Sequence, residues 1–288
     1  MNSFILDILA DPVTQKPLCY NEQIHKFTGE SGTFDIIKDV PVLLPKEEEK
    51  STFNYQQHYE EDAKAFDYFE EWHPVYREEN RRLHQQILNA IPAKADIILD
   101  VGCGGAWLAS ALIPQGKKVI SMDISTTNPL RAMEVVSSPS HSGLVADVFH
   151  LPIRKNSVDC IVAAEIIEHV KDPQLFIASL FNVLKPGGRL IITTPYNETI
   201  QYSLCIHCNK RTPHHAHIHS FTEAKIKSLS PSLASGTVTR VFNNKLIINF
   251  KLHMLLRFLP FRLWSFVDGI VCRLVKQKSL RLMMVVKK

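Results

Sequence analysis

The chain has 288 residues, 45% apolar and 22% charged, which excludes wholesale disorder, low complexity and collagen-like structure and allows one large domain with a smaller one beside it. The formal net charge of +4 is too small to announce a nucleic-acid binder, but it is unevenly placed: from Lys251 onward nine Lys/Arg stand against one acid, Asp268, which leaves the first 250 residues at −4. Six scattered cysteines do not make a disulfide scaffold. The opening MNSFILDILADP lacks the basic head of a signal peptide, and no apolar run approaches the roughly 18 residues of a membrane span. A reduced, cytoplasmic enzyme is the expectation.

In chain order, residues 1–46 are short apolar pieces between turn residues (ILDILADP, KPLCY, GTFDI, VPVLLP), the pattern of a small β-rich domain. Residues 47–92, entered through the charged run Lys46 to Lys50, read as a helical linker or lid, with aromatics at Tyr55, Tyr59, Phe66, Phe69, Trp72 and Tyr76. From residue 93 to 288 the pattern alternates. Strands are predicted at 97–101, 118–122, 144–146, 158–163, 189–194 and 282–286, with helices at 107–113, 130–136 and 174–184. Short apolar strands alternating with helices imply an α/β fold whose parallel sheet is covered on both faces, with its ligand at the carboxyl ends of the strands. A loop insertion at 197–221 and a helical insertion at 246–276 interrupt the alternation.

The chemistry begins at ILDVGCGGAW. A strand ends at Asp100, and Gly102 and Gly104 follow in a turn that leads to a helix, so a ligand can approach backbone that carries no Cβ. Asp123 ends the next strand, where a carboxylate can take both hydroxyls of a ribose. Asp147 and Val148 follow the third and suit an adenine amino group and ring edge. The series LDVGCGG, ISMDIS, VADVFHLPI, VDCIVAAEIIEHVKDP and LKPGGRLIITTP resembles the class I S-adenosylmethionine-dependent methyltransferases, in particular the branch with the ubiquinone and menaquinone methyltransferases, over residues 96–222. The resemblance implies a Rossmann-like, doubly wound, seven-stranded methyltransferase sheet. It also implies S-adenosyl-L-methionine as cofactor, with Gly102 and Gly104 under its methionine part, Asp123 on the ribose, Asp147 and Val148 on the adenine, and Asp100 orienting the loop. Ala106 stands where the family usually has a third glycine.

Glu165, Glu168 and His169 stand at i, i+3 and i+4, which a helical turn would bring to one face. Two carboxylates and an imidazole there suit a divalent metal. The spacing is similar to the Glu-x-x-Glu-His site of ubiquinone O-methyltransferases and of small-RNA 3′-end 2′-O-methyltransferases, in which a further histidine comes from a segment that His217 matches best. Relatives without metal also carry Glu-His-Val, and a role for His169 as general base or pocket former is favoured, with Glu165 and Glu168 in support. Cys205-x2-Cys208 followed by His214 and His217 makes a second candidate, a zinc site that would staple the loop insertion.

Residues 4–47 are similar to a small zinc-ribbon domain, but Asp11-Pro12-Val13-Thr14 replaces its first cysteine pair and Cys19 stands alone. That copy is expected to hold no zinc and to rest on Leu6, Leu9, Phe34, Val40 and Leu43. The basic, apolar insertion reads as a roof over an apolar acceptor pocket or as an amphipathic helix in peripheral contact with a membrane. The function expected is O-methylation of a small amphiphilic or phenolic acceptor. An RNA methyltransferase and a cofactor-binding, non-catalytic scaffold are the alternatives, and no nucleic-acid-binding signature supports the former.

Overall fold

In a computed structural model the protein is described over residues 2–45, 55–65, 74–204 and 209–288. The helices α1 (Tyr55–Ala65) and α2 (Pro74–Ala90) lie between the N-terminal residues and the sheet. Its strands are β1 (Ile97–Val101), β2 (Lys118–Asp123), β3 (His141–Val145), β4 (Val158–Ala164), β5 (Leu184–Pro195), β6 (Gly236–Asn244) and β7 (Ser279–Lys287). They form one seven-stranded sheet in the order β6-β7-β5-β4-β1-β2-β3. β7 runs antiparallel to both its neighbours, and the pairs from β5 through β3 are parallel. The chain order reverses between β1 and β4, which is where an open sheet of this kind leaves a crevice for a ligand.

Alternation along the strands divides the core in two. Leu99, Val101, Ile120, Met122, Ile161 and Ala163 pack on one face with α5 (Pro173–Val183) through Phe176, Ile177 and Leu180. Ile98, Val119, Cys160, Val162 and Ile191 pack on the other with Leu83 and Ile87 of α2 and Leu108 and Leu112 of α3 (Trp107–Leu112). The sequence pattern missed β6. Its alternation TVTRV ends in three buried residues, Phe242 to Asn244, yet it is an edge strand with mixed exposure and no continuous apolar run.

The N-terminal residues form small antiparallel pairs, Cys19–Asn21 with Lys26–Thr28 and Ile36–Ile37 with Val40–Pro41. Leu9, Phe34, Val40 and Leu43 are buried, while Leu6 is only partly covered. This unit merges with the main core: Leu9 bridges to Ile153 and Val42 to Val145, and Ile5, Ile8, Leu9 and Leu43 share one apolar cluster with Leu144, Leu151 and Ile153. At its centre lies Asp11, fully buried. Its carboxylate accepts hydrogen bonds from the backbone N–H of Val13 and Thr14 at 2.9 Å and of Ser31 at 2.8 Å, and from the Ser31 hydroxyl. One side chain therefore ties together the two turns.

Between β6 and β7 the chain forms α7 (Lys245–Asn249), α8 (His253–Leu256) and α9 (Phe261–Leu274). The inner face of α9 buries Trp264, Ser265, Asp268 and Cys272. Arg82 of α2, itself buried, lies 4.7 Å over the Trp264 ring and donates to the carbonyls of Leu256 and Arg257 at 2.8 and 3.3 Å. Asp268 accepts from the backbone N–H of Asn243 and Asn244. Within this insertion, expected as a roof, Trp264 is buried but Leu255 and Leu263 are exposed.

Candidate active site

The carboxyl ends of β1, β2 and β3 carry the glycine turn and three carboxylates side by side. Gly102 and Cys103 both donate their N–H to the Met122 carbonyl, and Ala146 donates to that of Asp123. Gly102 has φ of +71°, and a Cβ there would fall 2.2 Å from Cδ1 of Ile166. The glycine is needed both for its left-handed backbone and for contact with the turn after β4. Gly104 is also left-handed, and so is the buried Ala106, at φ 56° and ψ 25°. The third glycine position of the family is thus held by an alanine in the conformation a glycine adopts without cost.

Asp100 is buried, and its Oδ2 has no hydrogen-bond partner. Burial, with Asp123 nearby, pushes its carboxyl well above the usual range. Asp123 accepts from the Ser125 N–H at 2.9 Å and from Nδ2 of Asn128 at 3.1 Å. Burial raises it too, although the Ser125 and Asn128 bonds oppose the rise. Asp147 caps the short helical turn Val148–His150, accepting from the Phe149 N–H at 2.9 Å. The Val148 carbonyl accepts from the Ser179 hydroxyl.

Helix α1 crosses this edge. Both oxygens of Glu60 are used at the start of α4 (Thr127–Val135), taking the Thr126 N–H and the Thr127 hydroxyl at 2.6 Å each. The residue beside it, Tyr59, meets the His169 ring edge-on, 6.5 Å between centroids. The helix therefore joins the β2 end of the site to the β4 end. The aromatic pattern marked it as a lid, but nothing marked Glu60 as the cap.

The residues after β4 form a turn rather than the helical turn that the spacing of Glu165, Glu168 and His169 predicts. Glu165 has left-handed backbone at φ 59° and points to Arg281 of β7, 3.1 Å from its Nε. Arg281 pairs in turn with Glu79 of α2 at 3.0 Å. Glu165 therefore stands apart from the other two, because its charge is taken by Arg281. Glu168 is buried. One oxygen accepts from the Thr194 hydroxyl at 3.0 Å, and Oε1 has no partner. Burial, with Glu165 nearby, raises its carboxyl well above the usual range.

The loop insertion supplies the third member. The N–H groups of Ile218 and His219 donate to the Glu168 carbonyl, which brings His217 against His169 with 4.8 Å between ring centroids. Glu198 holds His217 through its Nδ1 at 2.5 Å. The ligand atoms of Glu168, His169 and His217 all lie within 4.8 Å of one another. Burial and the neighbouring His217 lower the pKa of His169 to about 4, so its imidazole is neutral near pH 7. Cys205 and Cys208 lie outside the described residues. Of the histidines grouped with them, His214 is exposed and His217 belongs to the cluster with Glu168 and His169. Thr194, Glu198 and Arg281 were missed, since they are single polar residues whose partners lie far away in sequence.

Residues 99–192 match the family described as a methyltransferase domain. That stretch carries the methyltransferase domain, and the chain is similar in fold to S-adenosylmethionine-dependent methyltransferases. A ubiquinone biosynthesis O-methyltransferase of Aliivibrio fischeri is 31% identical over 128 residues, covering 43% of this chain and 54% of the relative. A mitochondrial ubiquinone biosynthesis O-methyltransferase of Bos taurus is 37% identical over 117 residues, 38% of this chain and 31% of that one. The chain thus spans about half or less of the curated relatives it matches. Among solved structures, a protein of Pyrococcus horikoshii superposes with TM-score 0.52 at 15% identity, covering 79% of this chain and 98% of that one. An S-adenosylmethionine-dependent methyltransferase of Mesorhizobium loti gives 0.51 at 14%, covering 72% and 98%. At such identities the likeness is one of fold, and the sheet order above is that of the methyltransferase domain. The methyl donor of such a domain is S-adenosyl-L-methionine, while the acceptor is not fixed by the fold.

Proposed function

We propose that this chain transfers the methyl group of S-adenosyl-L-methionine to a hydroxyl oxygen of a small amphiphilic or phenolic acceptor. The observation that carries the reading is the convergence of Glu168, His169 and His217 beside the glycine turn, which touches the same loop through Gly102 and Ile166. Asp100 and Asp123 fit the donor: an acceptor atom without a partner at Asp100 suits an ammonium group, and the Asp123 carboxylate suits two ribose hydroxyls. Asp147 and Val148 would hold the adenine, and Gly102 and Gly104 would lie under the methionine part. The relatives named as O-methyltransferases support oxygen as the atom methylated.

The acceptor oxygen attacks the sulfonium methyl carbon in line, the carbon–sulfur bond breaks with its electron pair left on sulfur, and S-adenosylhomocysteine leaves as a neutral thioether. The hydroxyl proton passes to the neutral imidazole of His169. His217, held by Glu198, stands across from it, and Glu168 anchors both loops.

A second reading is favoured by the partnerless Oε1 of Glu168: the three residues would hold a divalent cation, a nitrogen–oxygen donor set that suits first-row metals. When bound, such an ion would chelate the acceptor and lower the pKa of its hydroxyl.

The test is transfer of labelled methyl groups by the purified chain to a panel of phenols and to lipid, protein and RNA fractions, before and after chelation. Transfer to phenols or lipids that survives chelation supports His169 as base, and transfer restored by added metal supports the second reading. Label found only in RNA or protein, or in nothing, overturns the proposal.

A further inference from the structure

The insertion between β6 and β7 has a second apolar face that the protein core does not use. On α9 the buried positions Trp264, Ser265, Asp268 and Cys272 lie on one side. Leu263, Phe266, Ile270 and Leu274, spaced three or four residues apart, form a stripe on the other. Phe266 is 66% and Leu274 78% exposed. The preceding turns also expose Phe250, Met254, Leu255 and Phe258, the last 75% exposed. A soluble surface rarely collects so many large apolar side chains without a partner.

The charges around this face are of one sign. Arg262 and Arg273, both exposed, stand one residue from the stripe at its two ends, and Lys251 and Arg257 border the preceding turns. The single acid between residues 245 and 278, Asp268, is buried and spent on the backbone of Asn243 and Asn244. An outward helix face is convex, so it offers no groove for a peptide. A second copy of the same face would bring like charges together.

We propose that the outer face of α9, with the turn before it, seats the protein on an anionic lipid surface, its apolar stripe in the acyl boundary and its arginines on the headgroup phosphates. The contact is peripheral, since no helix among the described residues is long and apolar enough to cross a membrane. β6 ends and β7 begins at the sheet edge that carries Asp100 and Glu168, so the lipid would lie at the catalytic end of the molecule. The inference does not depend on which acceptor is methylated.

The test is sedimentation of the full chain with vesicles of phosphatidylcholine alone and of phosphatidylcholine with phosphatidylglycerol in equal parts. Binding to the mixed vesicles is expected to be at least about tenfold tighter than to the neutral ones. Phe266→Ser combined with Ile270→Ser should weaken it by about tenfold or more, and Arg262→Glu with Arg273→Glu should abolish the preference for anionic lipid. Both variants should keep the wild-type affinity for S-adenosylhomocysteine, which separates loss of the surface from loss of the fold. Equal sedimentation of wild type and serine variant, no binding to either vesicle, or a wild-type dimer in ultracentrifugation that the serine variant abolishes would each overturn the proposal.

Discussion

Asp11 in the N-terminal unit and Glu168 in the catalytic domain are both buried carboxylates, and their surroundings are opposite. Asp11 receives four hydrogen bonds from two turns of its own unit. Glu168 receives one, from Thr194, and keeps a buried oxygen with no partner. Burial pushes the Asp11 carboxyl up, but its bonds from Thr14, Ser31 and Val13 outweigh that and hold its pKa at about 2. At Glu168 burial and the neighbouring Glu165 prevail, and the carboxyl is raised. A buried charge whose hydrogen bonds are complete belongs to the scaffold. One left incomplete costs stability, and a site that interacts with another molecule accounts for its retention.

The largest effect that tests this contrast is Glu168→Gln. Gln keeps the shape and the bond with Thr194 but can neither ionise nor hold a cation as a carboxylate would. Turnover is expected to fall by about a hundredfold or more, while the melting temperature stays level or rises because a raised, partnerless carboxylate has been removed. A variant that keeps its turnover but unfolds earlier would reverse the assignment.

Asp11→Ala is the matching change at the scaffold. Removing a carboxylate that several N–H donors point to should destabilise the chain by roughly 2–4 kcal/mol. Turnover per folded molecule should hold, as read from denaturant unfolding alongside the assay. The sign with pH follows from the depressed pKa. The Asp11 contribution is complete above its ordinary value of 3.8 and is lost as pH falls towards about 2, a difference worth about 2 kcal/mol. Unfolding curves of Asp11→Asn should be flatter than those of the wild type across that interval.

Asp123→Ala has a smaller effect on the reaction: it removes the carboxylate proposed to take the ribose hydroxyls, together with its bonds from Ser125 and Asn128. Affinity for S-adenosylhomocysteine should fall about ten- to a hundredfold in calorimetry, from loss of charge-assisted bonds. Unchanged affinity would separate Asp123 from the ribose and leave its bonds to Ser125 and Asn128 as its whole role.

The order of these effects follows what the sequence made legible. β1, β2, β4 and the glycine turn were readable because each is local: an apolar run, a terminal carboxylate, then glycine. Glu168, His169 and His217 were readable as residue types. Their grouping rests on the backbone bonds from Ile218 and His219 to Glu168, about fifty residues apart in the chain. Glu165 was grouped with them by local spacing and a resemblance that rests on that spacing, whereas in the fold it pairs with Arg281, more than a hundred residues on. The absence of the cysteines was legible in the N-terminal unit, but not that Asp11 and Ser31 would join its turns in their place.

Ala106 carries the smallest expected effect and tests how much strain the catalytic loop holds. Its left-handed backbone costs an alanine roughly 1–2 kcal/mol relative to its relaxed state, which Ala106→Gly would relieve. Against this, the methyl is buried with Cys103 and Ala132, and its removal costs about 0.8 kcal/mol. The freer unfolded chain of a glycine costs about 0.4–1 kcal/mol more. These terms nearly cancel, so the variant should unfold within about 1 kcal/mol of the wild type. Its affinity for S-adenosylhomocysteine should be close to unchanged, because the turn is already in the glycine conformation. A gain of more than about 2 kcal/mol with weaker cofactor binding would mean that the alanine holds the loop under strain for its ligand. The incomplete hydrogen bonding at Asp100 and Glu168 would then have a counterpart in the backbone.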